Sequence, residues 1–136
     1  MSFDFTVSDT IPATPHEIYE TWLSSHGHTA MTGNKTATAS TDINAHFTAW
    51  DGYISGRNIE LTPGKRIVQS WRTTKFTATD PDSQIEITLR PTAEGTHVTL
   101  HHSNVPDGHN GYRDGGWQHS YFDPMKHYFA SRRGHG

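Results

Sequence analysis

The stretch GWQHSYFDPMKHYF, residues 116–129, reads as an amphipathic helix with an aromatic face. At about 100° per residue, Trp117, Tyr121, Met125 and Tyr128 share a narrow side, and Phe122 and Phe129 widen it. His119, Asp123, Lys126 and His127 fall on the opposite side. Leu and Ile are the ordinary residues for a helix face that only seals a core. A face of large rings either packs a core through ring contacts or roofs a cavity, and the pattern alone leaves both open. Gln118 lies within the apolar arc, which points to a polar contact inside. Pro124 has no backbone donor and predicts a bend near Ser120. That bend is either a surface kink or a means of following a curved sheet.

Upstream of this helix the sequence is mostly β. QIEITLRPTAEGTHVTLHH (84–102) is the clearest hairpin, with Ile85, Ile87 and Leu89 alternating, then Val98 and Leu100. Alternation and turn residues predict further strands at 36–41, 45–50, 53–61 and 66–73. The breaks between them hold Asp51-Gly52, Pro63-Gly64, Pro81-Asp82 and Glu94-Gly95. Residues 3–11 form a first strand through Phe3, Phe5 and Val7. TPHEIYETWL (14–23) then carries a helix: Thr14 is the N-cap, Pro15 suits the first turn and Glu17 completes a capping box. Ile18, Tyr19, Trp22 and Leu23 give it a buried face, and it ends near Ser24. A second short helix fits around His28–Met31, stopped by Gly33 and Asn34. The last helix spans roughly 112–131, and the tail from 131 to 136 is expected to fray.

This order predicts an α+β domain. A meander of antiparallel strands presents one face, and only the C-terminal helix is long enough to cover it. Such a sheet gripping one helix often leaves a pocket between them. The chain has 136 residues, which suits one domain. Leu, Ile, Val and Phe together stay below about 20 per cent, a level that raises the question of disorder. Four Trp, five Tyr and a net charge of only −3 answer it in favour of a folded, ring-rich interior.

Composition also narrows the function. The absence of Cys removes disulfides, thiolate metal sites and cysteine nucleophiles. No apolar run approaches a membrane span, and the alternating N-terminus with Asp4 is not a signal peptide, so a cytoplasmic protein is expected. A net charge of −3 argues against nucleic acid. Monomer and homodimer both remain open.

Eleven His raise the question of a metal. His26 and His28, His101 and His102, and the series His119, Asp123, His127 are the candidates. The ends of the helical series lie about 12 Å apart at 1.5 Å rise per residue, too far to meet on one ion. Neighbouring strand residues such as His101 and His102 point to opposite faces. No zinc-ligand spacing occurs, so no metal is expected. No nucleophile elbow, phosphate-cradling loop or cofactor motif occurs either, so neither cofactor nor catalytic residue is assigned.

The chain resembles the C-terminal-type domain of activators of heat-shock-protein-90 ATPase, within the START-like (SRPBCC) helix-grip superfamily. The resemblance is carried by HTAMTG (28–33), FTAWDGYISGRNIELTPGKRIVQSWR (47–72), THVTLHHSNVP (96–106) and the aromatic helix. Its pattern falls on Phe47, Asp51-Gly52, Gly56, Glu60, Pro63 and Trp71-Arg72, and on Gly116-Trp117, Tyr121-Phe122, Lys126 and Phe129. His28-Thr29-Ala30-Met31 stands where many bacterial relatives carry paired Trp, and Asn44-Ala45 where a Gly pair is usual. The resemblance implies a helix-grip fold with the Trp71 parity on the concave face. It also implies two functions. One is non-enzymatic binding of a small hydrophobic or lipid-like ligand between sheet and helix. The other is contact with an Hsp90-type chaperone that stimulates its ATPase. The full co-chaperone has a separate N-terminal domain for which these 136 residues have no room. A cyclase- or hydrolase-like enzyme, with His102 and Tyr121 as an acid–base pair, is a third possibility.

The expected ligand wall follows from strand parity and the helix face. It comprises Phe47, Gln69, Trp71, Ile87, Leu89, Leu100, His102, Trp117, Tyr121 and Met125. Gln69 and His102 are polar groups in an apolar setting, either bonded within the core or orienting a ligand's polar head. The parity of 53–61 is not readable.

Overall fold

The capping signals at Thr14 and Glu17 are realised in the computed structural model, which describes residues 2–133. The elements are β1 (Ser2–Ile11), α1 (Pro15–Trp22), α2 (Ser25–Met31), β2 (His46–Ala49), β3 (Ile54–Thr62), β4 (Arg66–Thr73), β5 (Ser83–Thr92), β6 (Gly95–Pro106) and α3 (Asp123–Arg133). Thr14 accepts from Glu17 N–H at 3.1 Å, and Glu17 returns the bond to Thr14 N–H at 3.0 Å, closing the capping box. Ser24 ends the connection after α1 by capping α2, accepting from Gly27 N–H at 3.1 Å.

The six strands form one antiparallel sheet in the order β1-β6-β5-β4-β3-β2. Strands β2 to β6 are a meander, and β1 returns to pair with β6. The register lines up the buried side chains in rows. Ile67 faces Ile87, which faces Leu100, which faces Val7; Gln69 faces Ile85, which faces His102, which faces Phe5. The C-terminal helix and α1–α2 cover this face. Trp71, Trp117, Tyr121, Phe122 and Met125 are all essentially buried beneath them. Phe47 pairs with Gly56, where a Cβ would collide with the backbone oxygen of Ser70 and lie 2.6 Å from the Phe47 ring, so only glycine fits there.

Residues 36–41 are not a strand. They make a single bridge, Thr38 to Thr48. Their backbone donors go elsewhere: Ala37 N–H to Thr29 Oγ1 at 2.9 Å and Ala39 N–H to Ser25 Oγ at 2.9 Å. Side chains of α2 take the hydrogen bonds that a neighbouring strand would have supplied.

The aromatic helix departs from the regular pattern where Pro124 predicts. Gln118–Phe122 is a π turn, and Asp123 N–H reaches back five residues to Gln118 O. The missing Pro124 donor would otherwise have bonded Ser120 O, so the wider turn falls on the residues that proline disrupts. The turn inserts about one residue and moves the buried face by about 100°. Phe129 is therefore buried while Tyr128, on the narrow face of an ideal helix, is only half-buried. Before it, the residues from 112 are not helical: Asn110–Tyr112 is a short 3-10 turn, and the helical conformation begins at Gly116. At the other end α3 runs through 131–133. Residues 134–136, part of the tail expected to fray, lie outside the described residues.

Asp9 ties this helix to the sheet. Its Oδ2 accepts from Gln118 Nε2 at 2.9 Å and from Lys126 Nζ at 3.0 Å. Burial alone would raise the Asp9 pKa, but the bonds from Gln118, Lys126 and Thr10 bring it below the ordinary carboxylate value. Gln118 thus makes the polar contact its place in the apolar arc implied.

Candidate functional site

Two buried histidines flank the ring cluster, and each is neutral. Nδ1 of His28 lies 2.8 Å from Trp22 O, which can only accept, so Nδ1 carries the proton. Nε2 then accepts from the Tyr121 hydroxyl at 2.9 Å. Burial brings the His28 pKa down to about 4 and raises that of Tyr121 above the usual phenol value. At His102 the arrangement is reversed. Trp117 Nε1 donates to Nδ1 at 3.2 Å, so Nε2 donates to Ser83 Oγ at 2.8 Å. Ser83 passes its own proton to Trp71 O at 2.6 Å. Burial, followed by the neighbouring His101, brings the His102 pKa down to about 3.

Gln69 is committed in the same way. Its Oε1 accepts from Trp22 Nε1 at 3.0 Å, and its Nε2 donates to Asn58 Oδ1 at 2.9 Å. Asn58 in turn donates to the carbonyls of Ser40 and Asp42, each at 2.9 Å. Both hydrogen-bonding ends of Gln69 are satisfied inside the protein.

The rings meet in a continuous cluster. Trp71 and Trp117 have centroids 4.9 Å apart, Trp117 and Tyr121 5.1 Å, and Trp22 and Tyr121 4.9 Å. On one side of this cluster a cavity of about 360 Å³ opens. Trp71 comes from β4, and Trp117 and Tyr121 from the start of the last helix. Trp50 and Tyr53 come from the β2–β3 turn, and Tyr112 from the 3-10 turn. Six aromatic side chains therefore wall the space, and no Lys, Arg, Asp or Glu lines it. A wider groove, about 650 Å³, lies between α1 and the β3–β4 turn, among His16, Tyr19, Leu61 and Pro63. It lacks such a ring cluster.

Of the ten expected wall residues, Trp71, Trp117 and Tyr121 line the cavity. Phe47, Ile87, Leu89, Leu100 and Met125 are in the packed core, and Gln69 and His102 in its hydrogen-bond networks. His102 and Tyr121 are each bonded to other groups, Tyr121 to His28. The ring-bearing wall residues that periodicity missed are Trp50, Tyr53, His109 and Tyr112. They sit on turns, where no repeat marks the inward side. A tryptophan beside the Asp51-Gly52 turn signal was the one available clue. Ile54 also lines the cavity. Its strand could not be read because β3 carries a bulge between Asn58 and Glu60, leaving Ile59 unpaired and breaking the alternation. Among the described residues no three His, Asp or Glu side chains converge as metal ligands, and no helix is long and apolar enough to cross a membrane.

Comparison with known proteins places this geometry. An activator of 90 kDa heat shock protein ATPase homolog from Dictyostelium discoideum is 26% identical over 117 residues, covering 85% of this chain and 30% of that protein. Homolog 1 from Homo sapiens is 27% identical over 128 residues, covering 92% of this chain and 36% of that protein. The chain thus spans about a third of the length of the curated relatives it matches. Among solved structures, an HSP90 activator from Plasmodium falciparum superposes with a TM-score of 0.81 at 17% identity, covering 91% of this chain and 94% of that one. A protein from Mesorhizobium loti superposes with a TM-score of 0.76 at 18% identity, covering 94% and 97%. These likenesses establish the helix-grip fold. The family model "Activator of Hsp90 ATPase homolog 1-like protein" matches residues 12–130, and the chain belongs to that family.

Proposed function

We propose that this domain binds a small, largely apolar molecule in the cavity between the β2–β3 turn, β4 and the start of the C-terminal helix. The observation that carries the reading is the wall itself: six aromatic side chains around about 360 Å³, without a formal carboxylate or ammonium. Pockets of this size and lining suit small ligands, whose affinity comes from apolar area removed from water. The buried neutral histidines act behind the wall, fixing Tyr121 and Trp117 in place.

The test is native mass spectrometry of freshly purified protein, followed by denaturing extraction. A co-purifying small molecule, released on unfolding and lost in Trp117→Ala, supports the reading. If the protein carries no molecule and takes up none from a panel of aromatic probes, the reading fails.

A second reading is contact with an Hsp90-type chaperone. It is favoured by the relatives named as activators of that ATPase, which share 26% and 27% identity with most of this chain. Stimulation of a purified chaperone's ATPase by this domain, unaffected by filling of the cavity, is the result that supports it.

A further inference from the structure

Two loops meet beside the cavity. The first, residues 107–116, joins β6 to the last helix and supplies His109, Gly111, Tyr112 and Gly116 to the wall. Near its ends stand two glycines in the left-handed region, Gly108 at φ 91° and Gly115 at φ 114°. A Cβ on Gly108 would meet nothing within 4 Å, and one on Gly115 only the His119 ring at 3.6 Å. Neither glycine is there to make room for a neighbour. What each supplies is a backbone that crosses between positive and negative φ at little cost. The segment's backbone bonds are local: His109 N–H to Pro106 O at 3.2 Å, Tyr112 N–H to His109 O at 3.4 Å and His119 N–H to Gly115 O at 2.9 Å.

The second loop, residues 74–82, joins β4 to β5. Phe76 is its one buried side chain, and it lies outside the main core cluster. The Phe76 ring stands edge-on to His109, with centroids 4.9 Å apart. The Arg72 guanidinium lies 5.5 Å from the centre of the same ring. Arg72 also donates to Thr77 O at 2.6 Å, Asp80 O at 2.7 Å and Asp82 Oδ1 at 3.0 Å. One guanidinium thus gathers the loop around itself and keeps Phe76 on His109. Neither Arg72 nor Phe76 lines the cavity.

We propose that residues 108–115 are the movable wall through which a molecule enters the cavity, swinging on Gly108 and Gly115, and that Phe76, held by Arg72, is the latch. The proposal rests on the ligand-binding reading above and adds the route of entry. The rest of the wall is tied down. Trp71 belongs to β4, inside the sheet, and Trp117 and Tyr121 are packed in the ring cluster. The turn carrying Trp50 and Tyr53 is clamped where Asp51 exchanges bonds with Thr36 at 2.7 and 2.9 Å. Opening of residues 108–115 parts His109 from Phe76, Tyr112 from His102, Trp117, Trp71 and Thr73, and the exposed Arg113 from Phe3. It breaks no strand pairing. A latch that only gates the route leaves the closed complex unchanged. Loosening it speeds entry and exit by the same factor and leaves affinity alone, whereas loss of a wall contact changes exit and affinity together.

The test follows binding of N-phenyl-1-naphthylamine, an uncharged probe that brightens in apolar surroundings, by stopped-flow fluorescence. In Phe76→Ala the association and dissociation rates are both expected to rise about fivefold, the size of one aromatic contact, with Kd held within about twofold. Arg72→Lys, which keeps the charge but loses the fork, is expected to move both rates the same way by a smaller factor. The chain has no Cys, so Phe76→Cys with His109→Cys can be joined by a short, reversible bis-thiosulfonate linker. The linked protein should bind and release the probe at least about tenfold more slowly than its reduced form, because a tied wall cannot open. Rates unmoved both in Phe76→Ala and on linking overturn the proposal while leaving the cavity as a binding site. Faster dissociation with weaker affinity and unchanged association in Phe76→Ala overturns it too, since Phe76 would then only support the wall. Failure of the parent protein to bind the probe overturns the ligand reading and the proposal together.

Discussion

Tyr121 donates its hydroxyl proton to Nε2 of His28, 2.9 Å away, and so joins the last helix to α2 through the buried ring cluster. Tyr121→Phe keeps the ring and leaves Nε2 a buried acceptor without a donor. The expected cost is about 1–3 kcal/mol. Urea unfolding should show a lower midpoint with an unchanged slope. A midpoint equal to that of the parent protein would show that the hydroxyl contributes nothing.

Acid should weaken the fold well above the range of carboxylates. His28 and His102 are held neutral, with pKa values brought down to about 4 and about 3 chiefly by burial. In the unfolded chain both titrate near about 6.5. Below that pH the unfolded chain takes up protons that the folded chain refuses, so stability declines as pH falls. The decline from each group stops once pH passes below its folded value. Each histidine contributes a slope of about 1.4 kcal/mol per pH unit within its window. Unfolding midpoints at pH 7.5, 6.0 and 5.0 test this, and a flat profile would contradict it.

Trp50 and Asp51 hold left-handed backbone, φ 55° and 58°, in the tight turn closed by Gly52 N–H to Ala49 O, and this strain predicts an order among variants. Trp50→Ala and Trp50→Asn both lose the indole, but Asn tolerates the left-handed backbone better. The Asn variant should be more stable than the Ala variant by about 0.5–1 kcal/mol. Both should bind aromatic probes more weakly than the parent protein. Equal thermal midpoints for the pair would mean that the turn relaxes when the ring is removed.

Asp9→Ala should loosen the C-terminal helix. It removes an acceptor from Lys126 and from Gln118, which keeps its bond to Asp123, at an expected cost of about 1–2 kcal/mol. Because the Asp9 pKa is lowered, this contribution is present above the ordinary carboxylate pKa and lost as pH falls through the folded value. Hydrogen exchange should speed up at the amides of 117–127. Protection unchanged in that segment would assign the helix's anchoring to its rings alone.

Much of this architecture was readable from period alone. Ile85, Ile87 and Leu89 opposite Val98 and Leu100 needed no more than alternation, and the register places all five in the core. Thr14 and Glu17 announced α1. What resisted reading shares a physical cause, loss of period. The β3 bulge hid the inward side of residues 53–61. Residues 36–41 have strand composition, but their donors are taken by Ser25 and Thr29, which only tertiary contacts reveal. The aromatic face was legible at Trp117, Tyr121, Phe122, Met125 and Phe129, all buried, and failed at Tyr128, which the wide turn carries partly off the buried side. The candidate site was legible where it stands on the helix and on β4. It was hidden at Trp50, Tyr53 and Tyr112, because turn residues carry no repeat to mark which way they face.

The π turn leaves the helix in two parts that are out of phase, and a turn of this kind has no intrinsic address along a helix. Asp9 supplies one. A single carboxylate oxygen holds Gln118 at the first residue of the wide turn and Lys126 one turn beyond it. It works as a splint, fixing where the extra residue is stored. Were the extra residue to migrate along the chain, every side chain it passed would be re-indexed by about a quarter-turn. Tyr121 would then leave His28, and the aromatic wall would be composed of different rings. The rings that face the cavity are in this sense held in place from one aspartate on the opposite edge of the sheet, which does not line it.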